Sequence, residues 1–140
     1  MKLIAVSYAW IEIFLGTEKG QRCSRAINES DQTLTPEVVL AEISRKYFGE
    51  GSKELEIQRR MRTISQSSEL IGIDEAIALE SGKAYLEILD RSKVNSGRSN
   101  ESKKPSLFDA IILATARINK AKVLTGDLYF KGLPETIWIE

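Results

Sequence analysis

The sequence has no histidine, and that absence excludes more than any residue it contains. Without imidazole there is no Ser-His-Asp triad, no Cys-His pair, no HExxH zinc site and no histidine acid–base catalysis. Cysteine occurs once, as Cys23, which rules out an intrachain disulfide, a zinc ribbon or a CxxC redox pair. Excess charge is also missing. Lys and Arg number 20, Asp and Glu number 20, so a surface for nucleic acid has to come from local clustering. No apolar run approaches the roughly 18 residues of a membrane span, and Met1-Lys2 leads directly into a short apolar segment with no signal-peptide pattern. The expected compartment is the cytoplasm. Neither GxGxxG nor GxxxxGK[ST] occurs, which removes support for a nucleotide-phosphate binder.

What is present is an ordinary globular composition, 42% apolar and 29% charged, in 140 residues, the length of one domain. Short apolar segments alternate with helical patterns. Lys2 to Val6 reads as a buried strand, Ala9 to Leu15 as a helix ending at Gly16, Gly20 to Ser30 as a helix, and Gln32 to Leu34 as a short strand. Thr35-Pro36-Glu37 has the form of a helix start, with Thr35 as N-cap, and that helix runs to about Phe48. A helix follows over 53–67, then a strand at Leu70 to Ile73. Asp74 then caps a long helix to about Arg91. Residues 92–104 are polar, with four cations and one acid, and read as a loop or insertion. A helix over Leu107 to Asn119, a strand over Ala121 to Thr125 and an edge strand over Glu135 to Ile139 complete the chain. This alternation predicts an α/β fold with a central parallel sheet covered by helices on both faces, whose ligands bind beyond the carboxyl ends of the strands.

Three acids fall near such ends. Glu42 borders the Val39-Ile43-Tyr47 stripe of its helix and, taken alone, is a solvated flank residue. Asp109 lies in LFDAIILATA, a segment apolar nearly all round, where a carboxylate must be paired or ligated. Ser106-x-x-Asp109 is equally a capping box, and both readings stay open. Asp127 follows a strand end and Gly126, a turn-forming context. Cys23, Trp10 and Trp138 read as packing residues. As a set, three convergent carboxylates would hold protons or a hard divalent cation such as Mg²⁺ or Mn²⁺, and without histidine a carboxylate–metal hydrolase is the natural enzyme.

LIAVSYAWIEIFLG, TPEVVLAEISRKY, IGIDEAIALESGKAYLEILDRS, SLFDAIILATA and KVLTGDLYFKGL occur in the order and spacing of PIN domains. Over nearly the whole chain the sequence resembles the VapC-like ribonuclease toxins of toxin–antitoxin pairs. The resemblance implies an α/β/α sandwich as a single domain over 1–140. It implies a Mg²⁺- or Mn²⁺-dependent endoribonuclease acting on RNA, a homodimer, and a small antitoxin partner that inserts near the acids. It makes Glu42, Asp109 and Asp127 the catalytic and metal-binding acids, with Thr125 and Ser7 as accompanying hydroxyls. One element departs from the pattern: Val6 stands where the family has its first Asp, and valine has no lone pair to offer a cation. The resemblance therefore implies poor metal binding and little cleavage. Either an inactivating Asp-to-Val substitution in a toxin or a degenerate member kept as a protein-binding scaffold accounts for this. The three intact acids favour the first. Arg45, Lys46, Arg59, Arg60, Arg62 and Arg117 are candidates for RNA backbone contacts.

Overall fold

The computed structural model describes residues 1–95 and 104–140. Five strands form one sheet, β1 (Lys2–Ala5), β2 (Gln32–Pro36), β3 (Glu69–Ile71), β4 (Lys122–Thr125) and β5 (Thr136–Trp138). Their order is β3-β2-β1-β4-β5, and every neighbouring pair is parallel. Among the described residues six helices cover the sheet: α1 (Ser7–Leu15), α2 (Glu18–Glu29), α3 (Glu37–Gly49), α4 (Glu54–Ser67), α5 (Glu75–Asn95) and α6 (Leu107–Asn119). This is the α/β/α sandwich that the alternation predicts. Because successive strand residues face opposite ways, Ile4, Leu34 and Val123 enter a large core with Val39, Ile43, Ile88 and Leu113 of the helices. Leu3 and Leu124 enter a smaller core with Ala9 of α1 and Cys23 of α2. Cys23 is fully buried, and burial pushes its thiol up to about 11, so it packs as a small apolar residue.

Strand order reverses between β1 and β4: β2 and β3 extend the sheet to one side, β4 and β5 to the other. The crevice beyond the carboxyl ends of β1 and β4 is thus the switch point of the sheet, the usual place for a ligand in an open parallel fold. The segments that leave it are Val6-Ser7 and Gly126-Asp127.

Several sequence-based boundaries shift. Thr35 is no helix cap. It lies inside β2, where its Oγ1 accepts from Trp10 Nε1 at 3.2 Å and bonds Ser68 Oγ at 2.7 Å. Proline's fixed φ suits the strand end as well as a first helical turn, and buried partners for the hydroxyl decide between them. The first helix begins at Ser7, directly after β1, and not at Ala9. The third strand is Glu69–Ile71, which frees Gly72 and Ile73 as loop. α5 continues through Ser92 to Asn95, four residues into the segment read as loop, and residues 96–103 of that segment lie outside the described residues. Asp74 caps α5 as expected, with Ile77 N–H donating to Oδ1 at 2.8 Å. Among the described residues no helix is long and apolar enough to cross a membrane.

Candidate functional site

The N-terminal turn of α1, the first turn of α6, the middle of α3 and the segment after β4 enclose a cavity of about 70 Å³ at the switch point. Val6, Glu42, Asp109 and Asp127 all line it, together with Ser7, Tyr8 and Thr125. The three acids predicted to converge therefore share one cavity, and Val6 shares it with them. Water occupies about 30 Å³ per molecule in the liquid, so the space suits a small ion with a water or two, not a substrate.

Each acid reaches the cavity by a local device. Asp109 is the third residue of α6 and completes a capping box. Ser106 N–H and Oγ–H donate to its Oδ2 at 3.0 and 2.9 Å, and Asp109 N–H donates to Ser106 Oγ at 3.3 Å. Capping and cavity-lining are thus not exclusive: the cap uses Oδ2, and Oδ1 carries no hydrogen bond among the described residues. Asp127 sits in a turn that leads into a short 3₁₀ segment at Leu128–Phe130. Its N–H donates to Thr125 Oγ1 and its Oδ1 accepts from Tyr129 N–H, both at 3.0 Å. Burial, and after it the neighbouring Asp109 charge, raises Asp127 from its ordinary value against the pull of the Tyr129 N–H. Glu42 lies one residue before the buried Ile43 on α3 and is half-buried.

Sequence reasoning missed the aromatic wall. Tyr8 stands over Gly126 so closely that a Cβ there would lie 2.5 Å from its ring and hydroxyl, which fixes glycine at that turn. Phe108 and Phe130 close the remaining sides. Only the adjacency of Tyr8 to Ser7 in sequence could have signalled this.

The donor set can be tested for a hard cation. All its polar groups are oxygens, the type Mg²⁺ and Mn²⁺ take. Ser7 is 5% exposed, and its Oγ is buried with no hydrogen-bond partner, an orphan on the cavity wall. Yet among the described residues no three of His, Cys, Asp or Glu come close enough together to hold a metal ion. The donors fit a hard cation in kind and fall short in number, and residue 6 supplies a branched hydrocarbon, 7% exposed, where one more oxygen could stand.

Of the predicted RNA-contacting cations, three are engaged within the chain. Lys46 pairs with Glu50 at 2.6 Å. Arg60 pairs with Glu56 and lies over the Tyr47 and Phe14 rings. Arg117 makes a two-pronged bond to Glu87 (2.7 and 2.8 Å) and also reaches Glu135 and Glu80. Arg45, Arg59 and Arg62 take part in no ion pair among the described residues.

The same fold occurs in several solved structures. A toxin–antitoxin complex from Klebsiella pneumoniae contains a chain 21% identical, with a TM-score of 0.71, over 96% of this chain and 95% of that one. VapBC-1 from nontypeable Haemophilus influenzae is 18% identical, TM-score 0.69, over 100% and 98%. VapC20 of Mycobacterium tuberculosis, a toxin that cleaves the sarcin–ricin loop, is 13% identical, TM-score 0.57, over 95% and 97%. No curated protein matches by sequence. The PIN domain family model matches residues 7–135, nearly the entire chain, and the chain belongs to the PIN domain family.

Proposed function

We propose that this protein is an endoribonuclease toxin of a toxin–antitoxin pair, dependent on Mg²⁺ or Mn²⁺ and held at low activity by Val6. The observation that carries the reading is the shared cavity: Glu42, Asp109 and Asp127 line one space at the switch point of the sheet, with Val6 at its wall. Family membership supports the chemistry, and the solved toxin–antitoxin complexes of the same fold support a protein antitoxin as partner. Homodimerisation belongs to the same proposal.

In this reading Asp109 and Asp127 supply the anionic oxygens of a cation site, and Glu42 orients the attacking water and accepts its proton. The Ser7 hydroxyl is a further neutral donor or ligand. The α1 N-terminus, whose N-cap Val6 brings no capping side chain, presents free N–H groups toward a phosphate oxygen. A divalent cation, when bound, would supply an activated water and neutralise charge on the phosphodiester. Replacing Val6 with aspartate tests the whole: Val6→Asp should cleave RNA in the presence of Mg²⁺ or Mn²⁺ well above the parent chain. No gain would overturn the reading.

One observation favours a second reading, a PIN-fold scaffold that binds an antitoxin without catalysis: the three carboxylates are not gathered into a ready metal group. The scaffold reading expects partner binding with no cation response. The nuclease reading expects Mn²⁺ to raise the thermal stability of Val6→Asp and Asp109→Asn in that chain to remove the rise.

A further inference from the structure

A second cavity, lined by residues of α3 and α6, lies beside that of the acids. Val38 and Glu42 lie four residues apart on α3, and Phe108 and Ile111 three apart on α6, so each pair faces one way along its helix. Glu42 and Phe108 line the acid cavity, whereas Val38 and Ile111 line a second one of about 120 Å³. The two are therefore about one helical turn apart, roughly 6 Å. The second cavity opens beyond the carboxyl ends of β2 and β3, on the same edge of the sheet, and Val38, Ile71, Ile73 and Ile111 line it together with Pro36 and Thr115, whose hydroxyl is spent on the Ile111 carbonyl. Gly72 lines it, and a Cβ on Gly72 would lie 3.5 Å from the Glu37 carboxylate. That carboxylate is exposed, stands in the first turn of α3, and takes part in no hydrogen bond or ion pair among the described residues.

We propose that this slot is a base-recognition subsite for an unpaired guanine of the RNA substrate, with Glu37 as the specificity-determining residue. The inference rests on the ribonuclease reading and deepens it. The space holds the equivalent of about four water molecules, enough for one flat heterocycle. Four aliphatic side chains suit the faces of a base, and glycine at 72 leaves the edge clear. A carboxylate selects by hydrogen bonding. Guanine offers two adjacent N–H donors on its Watson–Crick edge, N1–H and N2–H, which meet both oxygens of Glu37. Uracil offers one donor flanked by carbonyl oxygens that repel a carboxylate, and adenine and cytosine offer one amino group each. Single-stranded RNA is read in this way, by sandwiching a splayed base and bonding its edge.

The low activity assigned to the Val6 chain lets binding be measured apart from cleavage. The probe is a fluorescein-labelled ten-nucleotide oligouridylate carrying one central guanosine, one central adenosine, or neither, followed by fluorescence anisotropy at low salt with Mg²⁺. The guanosine oligonucleotide should bind about tenfold tighter than the other two. Glu37→Gln, an exposed change, should bring guanosine and adenosine to parity, and Gly72→Val should reduce the guanosine oligonucleotide to the level of oligouridylate, with unchanged circular dichroism in both. Binding without base preference, or a preference that survives Glu37→Gln, would overturn the subsite and leave the ribonuclease reading intact. No binding of any oligonucleotide, by the parent chain or by Val6→Asp, would overturn both.

Discussion

Position 6 carries two jobs that a single residue has to reconcile. It is the N-cap of α1 and it is a wall of the acid cavity. Valine satisfies neither polar demand, but it adds no charge beside Asp109 and Asp127. An aspartate there could accept from the exposed N–H groups of α1, a cap worth about 1 kcal/mol. It would also bury a third carboxylate next to two others, and like charges in a partly dry site repel. Val6→Asp is therefore expected to melt several degrees lower than the parent in EDTA and to gain more than that in millimolar Mn²⁺, whereas the parent gains little. Thermal melts of both chains with and without Mn²⁺ measure this, and equal responses would sink the assignment of residue 6 as the missing ligand. At this scale much was legible. Asp109 and Asp127 were visible in the sequence because one opens a helix and the other follows a strand at one edge of the sheet, whereas Glu42, in the middle of α3, was marked only by the resemblance to PIN domains. Ser7 as the first helical residue was not, since an apolar run before it and an apolar helix after it leave no period to mark the boundary. Nor was the double use of Asp109 as cap and cavity wall, which depends on the two carboxylate oxygens having different neighbours.

Among the elements, α1 and α2 are in close contact at Gly20, where a Cβ would lie 2.1 Å from the Glu12 carbonyl oxygen. The sequence placed this glycine correctly in a helix, but its reason is a contact between helices and has no local signature. Gly20→Ala cannot fit unless the pair separates, and because α1 also carries Val6, Ser7 and Tyr8, separation disturbs the cavity. We expect a loss of about 3 kcal/mol, large for one methyl group, read from urea denaturation. An unchanged midpoint would show that the two helices slide freely. At the opposite side α5 and α6 are tied by Arg117, 21% exposed, to Glu87, Glu80 and Glu135. The Arg117 hydrogen bond holds Glu87 below its ordinary value of 4.5. A depressed carboxylate stabilises the fold above the unfolded value and loses that contribution as pH falls through the folded one. Glu87→Gln should thus cost stability at neutral pH, less than about 1 kcal/mol because Glu87 is 47% exposed, and cost nothing well below pH 4.5. Urea midpoints of the two chains across that range decide it; a difference independent of pH would mean packing, not charge. The continuation of α5 to Asn95 was hidden for a related reason: Ser92, Lys93 and Asn95 lack an apolar stripe, and the turn they form extends a helix already anchored by Ile77, Ala84 and Ile88.

For the molecule as a whole, balanced charge sets the terms of any meeting with RNA. Twenty cations face twenty anions, and three of the six basic residues that the sequence offered for backbone contacts are already committed to acids of the same chain. The Lys46–Glu50 and Arg60–Glu56 pairs are four residues apart and local in sequence, whereas the pairing of Arg117 with α5 arises only when distant segments fold together, and no sequence pattern marks it. What remains, Arg45, Arg59 and Arg62, neutralises a few phosphates at most. Single-stranded nucleic acid releases about 0.7 counterion per phosphate neutralised, so three contacts predict a slope near −2 when the logarithm of the binding constant is plotted against that of salt concentration. Oligonucleotide binding titrated from low to physiological salt gives the slope directly. A slope near −2 that falls by about 0.7 in each of Arg45→Gln, Arg59→Gln and Arg62→Gln would show that these residues carry the electrostatic part. A slope of −5 or steeper would require about seven phosphates neutralised, more than these three residues supply, and would bring further cations of the chain into the interface, or Lys46, Arg60 and Arg117 away from their carboxylates.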